Sequence, residues 1–109
     1  MLNLFKHKIL FIIIINSLYA QINIYSHRHY DSDKILFNKF TEKTGIEINI
    51  IKGSADQLIE RLINEGENSP ADILLTVDAG RLYRAKVANI LEPVNSSILK
   101  NNIPYNFRD

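Results

Sequence analysis

Three short apolar segments separated by two stretches of helical spacing constrain this chain more than any other feature. Ile22-Asn23-Ile24-Tyr25 and Ile46-Glu47-Ile48-Asn49-Ile50-Ile51 alternate and are β-branched, while Ala71 to Val77 is a near-continuous apolar run bounded by polar residues. The first two read as strands with alternating faces, the third as a strand buried on both faces. Asp31, Ser32 and Asp33 are N-cap candidates before a helix over Lys34 to Thr44, where Leu36 and Phe40 lie one turn apart with Phe37 alongside. Gly45 is placed to end that helix in the left-handed conformation. Ser54 and Gln57 have capping-box spacing, so a second helix begins at Ala55, turns Leu58, Ile59, Leu62 and Ile63 inward and stops near Gly66. Asp78 caps a third helix reaching about Ala88, with Leu82, Ala85 and Val87 as burial candidates. Beyond Leu91, Pro93, Asn95-Ser96-Ser97 and Pro104 give short turns without a period.

Strand–helix–strand–helix–strand with connections of this length predicts an α/β fold built on a βαβαβ parallel sheet. The binding crevice of such a sheet lies at the carboxyl ends of its strands. Three loops therefore matter: Ser26–Tyr30, Lys52–Ser54 and Thr76–Gly80.

Ahead of the first strand, residues 1–20 run MLNLFKHKILFIIIINSLYA. Lys6 and Lys8 form a basic start, Ile9 to Ile15 an unbroken apolar run, and Asn16 to Ala20 a polar-then-small finish, the layout of a cleavable signal peptide. The apolar run is well short of the ~20 residues that cross a bilayer. Of 109 residues, 89 remain after cleavage at Ala20, with 11 basic and 12 acidic side chains and a net charge of −1 instead of +1. That balance argues against a nucleic-acid binder relying on bulk charge. The chain has no cysteine, which excludes disulfides, thiolate metal sites and a lipid-modified N-terminal cysteine. An exported, untethered protein points to a periplasm.

The loop Ser26-His27-Arg28-His29-Tyr30 is the most informative stretch for chemistry. It precedes a helix N-terminus, which attracts anions, and Arg28 can pair with a carboxylate or phosphate. His27 and His29 share a face of an extended segment and can reach one divalent ion. Tyr30 adds a hard oxygen, and a phenolate is an established iron ligand. The alternative is a solvated polar loop. Thr76 to Arg81 is a second candidate, where Asp78 either lines a cleft or caps its helix and Gly80 lets a ligand approach the backbone; Gly53 and Ser54 carry the same ambiguity. Nothing resembles a phosphate-binding glycine loop, G-x-S-x-G, H-E-x-x-H or paired carboxylates with a base, so the chain is not expected to be an enzyme.

Y-S-H-R-H-Y-D-S-D, F-T-E-K-T-G-I-E-I-N-I-I-K-G, the long run G-E-N-S-P-A-D-I-L-L-T-V-D-A-G-R-L-Y-R-A-K, then L-E-P-V-N-S and N-I-P-Y-N-F-R-D closely resemble periplasmic ferric-iron-binding proteins. These are the substrate-binding components of bacterial iron(III) ABC importers. The resemblance implies a two-lobed periplasmic binding protein of class II that closes on Fe(III), the transported ligand, with ligands from both lobes. It places His29 and Tyr30 as first-lobe metal ligands; His27, Arg28, Gly53, Ser54, Asp78 and Gly80 are cleft-lining candidates from their place in the strand-end loops, not from the resemblance. It also implies a monomer that delivers iron to an inner-membrane permease. The further ligands of the family are second-lobe tyrosines, which this sequence does not contain. Residues 21–109 are therefore expected to form the N-terminal portion of the first lobe. Two alternatives stand beside this reading: the same fold binding an oxyanion or small organic solute through Arg28 and the backbone near Gly53 and Gly80, or a non-functional fragment.

Overall fold

The computed structural model describes residues 20–108. Nearly all of the expected signal peptide lies outside the described residues, as does Asp109. Strand β1 (Gln21–Ser26) leads into helix α1 (Asp31–Thr44), strand β2 (Glu47–Lys52) and helix α2 (Ala55–Glu65). A 3-10 turn (Gly66–Asn68), strand β3 (Ile73–Leu75), helix α3 (Ala79–Val87), a short helix α4 (Ser97–Asn102) and a second 3-10 turn (Tyr105–Phe107) follow. The three strands are parallel in the order β2-β1-β3, so the βαβαβ expectation is met.

The register puts Tyr25 between Ile51 and Leu74 on one face of the sheet. Leu58 and Leu62 of α2 pack on that face, and Ala71 and Ile90 close its margins. Tyr25 is completely buried there. Alternation turns Ile24, Ile50 and Ile73 to the other face, where α1 rests on β2. Local sequence sets the helix ends. Gly45 ends α1 at φ 72°, donating its N–H to the Thr41 carbonyl at 2.8 Å. Ser54 and Gln57 complete a capping box at the start of α2, with Gln57 N to Ser54 Oγ and Ser54 N to Gln57 Oε1 both at 3.2 Å.

Several expectations are corrected. Helix α1 begins at Asp31, three residues early. Its cap position is Tyr30, which makes no capping bond, so Asp31 and Asp33 lie in the first turn, where a carboxylate favours the positive end of the helix dipole. The inward stripe of α1 is Asp33, Phe37, Phe40 and Thr41, and Leu36 is 63% exposed. Helices α2 and α3 each present a narrower inner face than their apolar residues allow, because Ile63, Leu82 and Val87 are exposed and Ala85 alone of α3 is buried.

The third strand shrinks from the Ala71–Val77 run to three residues, and Ile73 and Val77 are exposed. Among the described residues β3 pairs only with β1, and α1 covers the β2 side of the sheet, so burial on both faces is not reached. The tail beyond Leu91 contains α4, capped by Ser96, whose hydroxyl accepts from Leu99 N at 3.4 Å.

Candidate functional site

Parallel pairing brings the carboxyl ends of β1, β2 and β3 to one rim of the sheet. His27 N donates to the Leu75 carbonyl at 2.9 Å, carrying the β1–β3 ladder one residue past the strand. Gly53 N donates to the Ser26 carbonyl at 3.3 Å and ties the second loop to the first. Ser26 is buried, and its hydroxyl accepts from Arg28 N at 3.1 Å and donates to the Arg28 carbonyl at 3.0 Å. This local ring folds the chain back sharply, so that the residues after Ser26 turn out of the sheet and enter α1.

A cleft of about 60 Å³ lies between this loop, the first turns of α1 and the end of β2, with Arg28, His29, Tyr30, Asp33 and Lys52 on its walls. The Arg28 guanidinium is forked onto Asp33, Nε to Oδ2 at 3.1 Å and Nη2 to Oδ1 at 2.9 Å, and its Cζ stands 5.1 Å from the centre of the Tyr30 ring. Tyr30 is 56% exposed and His29 is exposed, so both donors face solvent at the start of α1. The His27 and His29 rings meet edge to face with centroids 6.3 Å apart, and His27 Nδ1 is buried without a hydrogen-bond partner.

The remaining candidates have local duties. The Ser54 hydroxyl is engaged in its capping box, and a Cβ on Gly53 would lie 3.0 Å from Leu58 Cδ2, so that glycine serves close packing of α2. Asp78 caps α3, accepting from Arg81 N at 2.8 Å and pairing with the Arg81 guanidinium. That backbone N–H foremost, with the guanidinium behind it, holds the Asp78 carboxyl below the usual carboxylate range. A Cβ on Gly80 would approach Asp78 Oδ1 at 3.3 Å. None of these four residues lines the cleft of Arg28, His29 and Tyr30.

Sequence reasoning placed Lys52 in a rim loop without giving it a role, and missed Asp33 as the partner of Arg28. An acid five residues beyond an arginine is the available signal, and it is weak without knowing that the loop folds back. Among the described residues no group of three or more His, Cys, Asp or Glu side chains is placed to hold a metal. His29 and Tyr30 alone offer one imidazole and one phenol, chemically suited to iron and too few to enclose it.

No protein-family model matches the chain. It is 56% identical over 84 residues to iron uptake protein A1 of Synechocystis, which covers 77% of this chain and 23% of that protein. A Trichodesmium protein solved in complex with iron and citrate ligands superimposes with a TM-score of 0.78 at 57% identity, covering 83% of this chain and 28% of the other. The Fe(3+)-binding periplasmic protein of Serratia marcescens is 31% identical over 78 residues, covering 72% of this chain and 23% of that protein. The chain spans about a quarter of the length of the curated relatives it matches. The Serratia relative is named as a binding protein and the Trichodesmium structure holds iron and citrate, and the βαβαβ unit is that of a class II-like periplasmic binding protein.

Proposed function

From a chain related along most of its length to periplasmic ferric-iron-binding proteins, we infer that its role is to contribute one wall of an Fe(III) site used in iron uptake. The observation that carries this reading is the solvent-facing Tyr30 phenol at the start of α1, beside an exposed His29. Fe(III) is a hard, highly charged acceptor. It favours phenolate oxygen, and coordination releases the phenol proton to solvent although a free tyrosine holds it to about pH 10. Tyr30 supplies the anionic oxygen and His29 the imidazole. Both stand on the rim where open α/β sheets bind ligands.

Residues 1–20 serve as a signal peptide and residues 21–109 as part of the first lobe, the remaining iron ligands coming from a second lobe. The protein works in the periplasm as a monomer and passes iron to an ABC permease in the inner membrane. Binding and delivery require no chemical step on the ligand, which agrees with a non-enzymatic role. The oxyanion alternative has weaker support, because Asp33 already occupies two donors of Arg28 and the backbone near Gly53 is packed against Leu58.

The test is titration of the full-length natural product with ferric citrate. The expected result is a phenolate-to-iron charge-transfer band that is reduced in intensity in Tyr30→Phe, since second-lobe phenolates still contribute to it. A band of unchanged intensity in that variant overturns the assignment of Tyr30.

A further inference from the structure

We propose that Asp33 is a positioning residue for iron capture, acting through Arg28 on the Tyr30 ring. The proposal rests on the reading of Tyr30 as an iron ligand. An exposed tyrosine at a helix start samples several rotamers, and Tyr30 makes no side-chain capping bond that would select one. What selects it here is a chain of three contacts. The Ser26 hydroxyl clamps the Arg28 backbone, Asp33 takes two donors of the Arg28 fork at 3.1 and 2.9 Å, and the guanidinium stands over the Tyr30 ring at 5.1 Å.

Each link suits that task. Asp33 is on the inward stripe of α1 with its side chain 16% exposed, so it is anchored by the helix. Its backbone N–H donates to the Tyr30 carbonyl at 3.1 Å, which fixes the anchor relative to the ring's own backbone. A guanidinium is planar and rigid and can be forked and stacked at once, which an ammonium cannot. The ring is therefore ordered at folding, and iron does not have to order it at capture. Immobilising one side chain on binding is equivalent to about a three- to tenfold loss of affinity.

The full-length natural product is titrated with ferric iron against citrate as competitor, reading affinity from the charge-transfer band, for wild type, Asp33→Ala, Asp33→Asn, Arg28→Ala, Arg28→Lys, Asp33→Ala/Arg28→Ala and Tyr30→Phe. Circular dichroism checks folding, and Asp33→Asn serves as the milder variant should Asp33→Ala fail to fold. The expected result is a loss of about three- to tenfold in each Asp33 and Arg28 variant with the band retained, and a double variant no weaker than either single, as members of one chain of contacts require. Arg28→Lys is expected to fail like Arg28→Ala.

A purely coulombic role predicts opposite signs, removal of Asp33 weakening iron binding and removal of Arg28 strengthening it; that pattern overturns the proposal. Additive losses in the double variant overturn it as well. Wild-type affinity in the Asp33 variants, with Tyr30→Phe defective, overturns the proposal and leaves the ligand reading standing. Wild-type affinity and band in Tyr30→Phe overturn both.

Discussion

The Tyr25 hydroxyl donates to the Glu65 carboxylate and lies 2.9 Å from both of its oxygens, joining the carboxyl-terminal part of β1 to the end of α2. Arg61 donates to the same carboxylate at 2.6 Å and stacks over the Tyr25 ring at 4.7 Å, and the Ser69 hydroxyl donates to it at 2.7 Å. One carboxylate thus fastens strand, helix and the turn that leads into β3.

Tyr25→Phe removes one donor and leaves Glu65 satisfied by Arg61 and Ser69. The expected loss is about 1.5–3 kcal/mol of stability, the range for a hydrogen bond to a charged group. The midpoint of urea unfolding of the full-length product measures it. Glu65→Ala is expected to cost more, since it orphans a buried hydroxyl and releases Arg61 as well.

The same contact gives stability a window in pH. The Ser69 hydroxyl first, then Arg61 and Tyr25, holds the Glu65 carboxyl below its ordinary value. Its contribution is present above the free carboxyl pKa of about 4.3 and is lost as pH falls through the lowered folded value. Burial first, then the Glu65 contact, pushes the Tyr25 phenol up. Its contribution is present below the free phenol pKa of about 10 and is lost as pH rises through the raised folded value. Melting temperature against pH should fall at both ends, and Tyr25→Phe should flatten the alkaline fall.

Ser54→Ala dissolves the capping box at α2, and the expected cost is about 1 kcal/mol, typical of a lost N-cap. Because α2 supplies Leu58 and Leu62 to the core, the loss should appear in the cooperative unfolding transition and not as local fraying.

Gly45→Ala forces a side chain into φ 72° with nothing within 4 Å of the new Cβ, so the cost is conformational, about 1 kcal/mol. Gly45→Asn should recover part of it, because asparagine tolerates the left-handed region. Gly53→Ala places its Cβ 3.0 Å from Leu58 Cδ2 and tests steric packing instead. Differential calorimetry of the three variants separates strain from clash.

Iron should stabilise the full-length product by mass action, so removing it with a chelator is expected to lower the melting temperature. In Tyr30→Phe the difference between loaded and stripped protein should shrink. An undiminished difference would count against Tyr30 as a ligand.

Signals confined to a few consecutive residues were legible in the sequence. Gly45, the Ser54–Gln57 box and the Asp78 cap each act within one turn, and the helix limits they imply hold within a few residues. Choices made by distant packing were not. Both Leu36 with Phe40 and Phe37 with Phe40 and Thr41 satisfy helical spacing, and the placement of α1 on β2 decides for the second. The apolar run Ala71–Val77 states an appetite for burial, and a strand at the sheet edge meets only part of it. In the site, the position of His29 and Tyr30 at a strand end followed from the βαβ pattern. The Arg28–Asp33 fork did not, because it depends on Ser26 folding the loop back.

The strand order has a consequence for assembly in time. Strand β1 is made before its neighbours yet occupies the centre of the sheet, with Gln21 pairing to Glu47 and Ile24 to Ile73. Its two edges are therefore satisfied at different moments, one after a span of about 26 residues and the other after about 49. Until Leu74 and Leu75 have emerged, Tyr25 lacks one of its in-register neighbours and His27 lacks its carbonyl partner. Parallel pairing at such separations is slow. The loop that carries His29 and Tyr30 acquires its final footing only when the last strand docks.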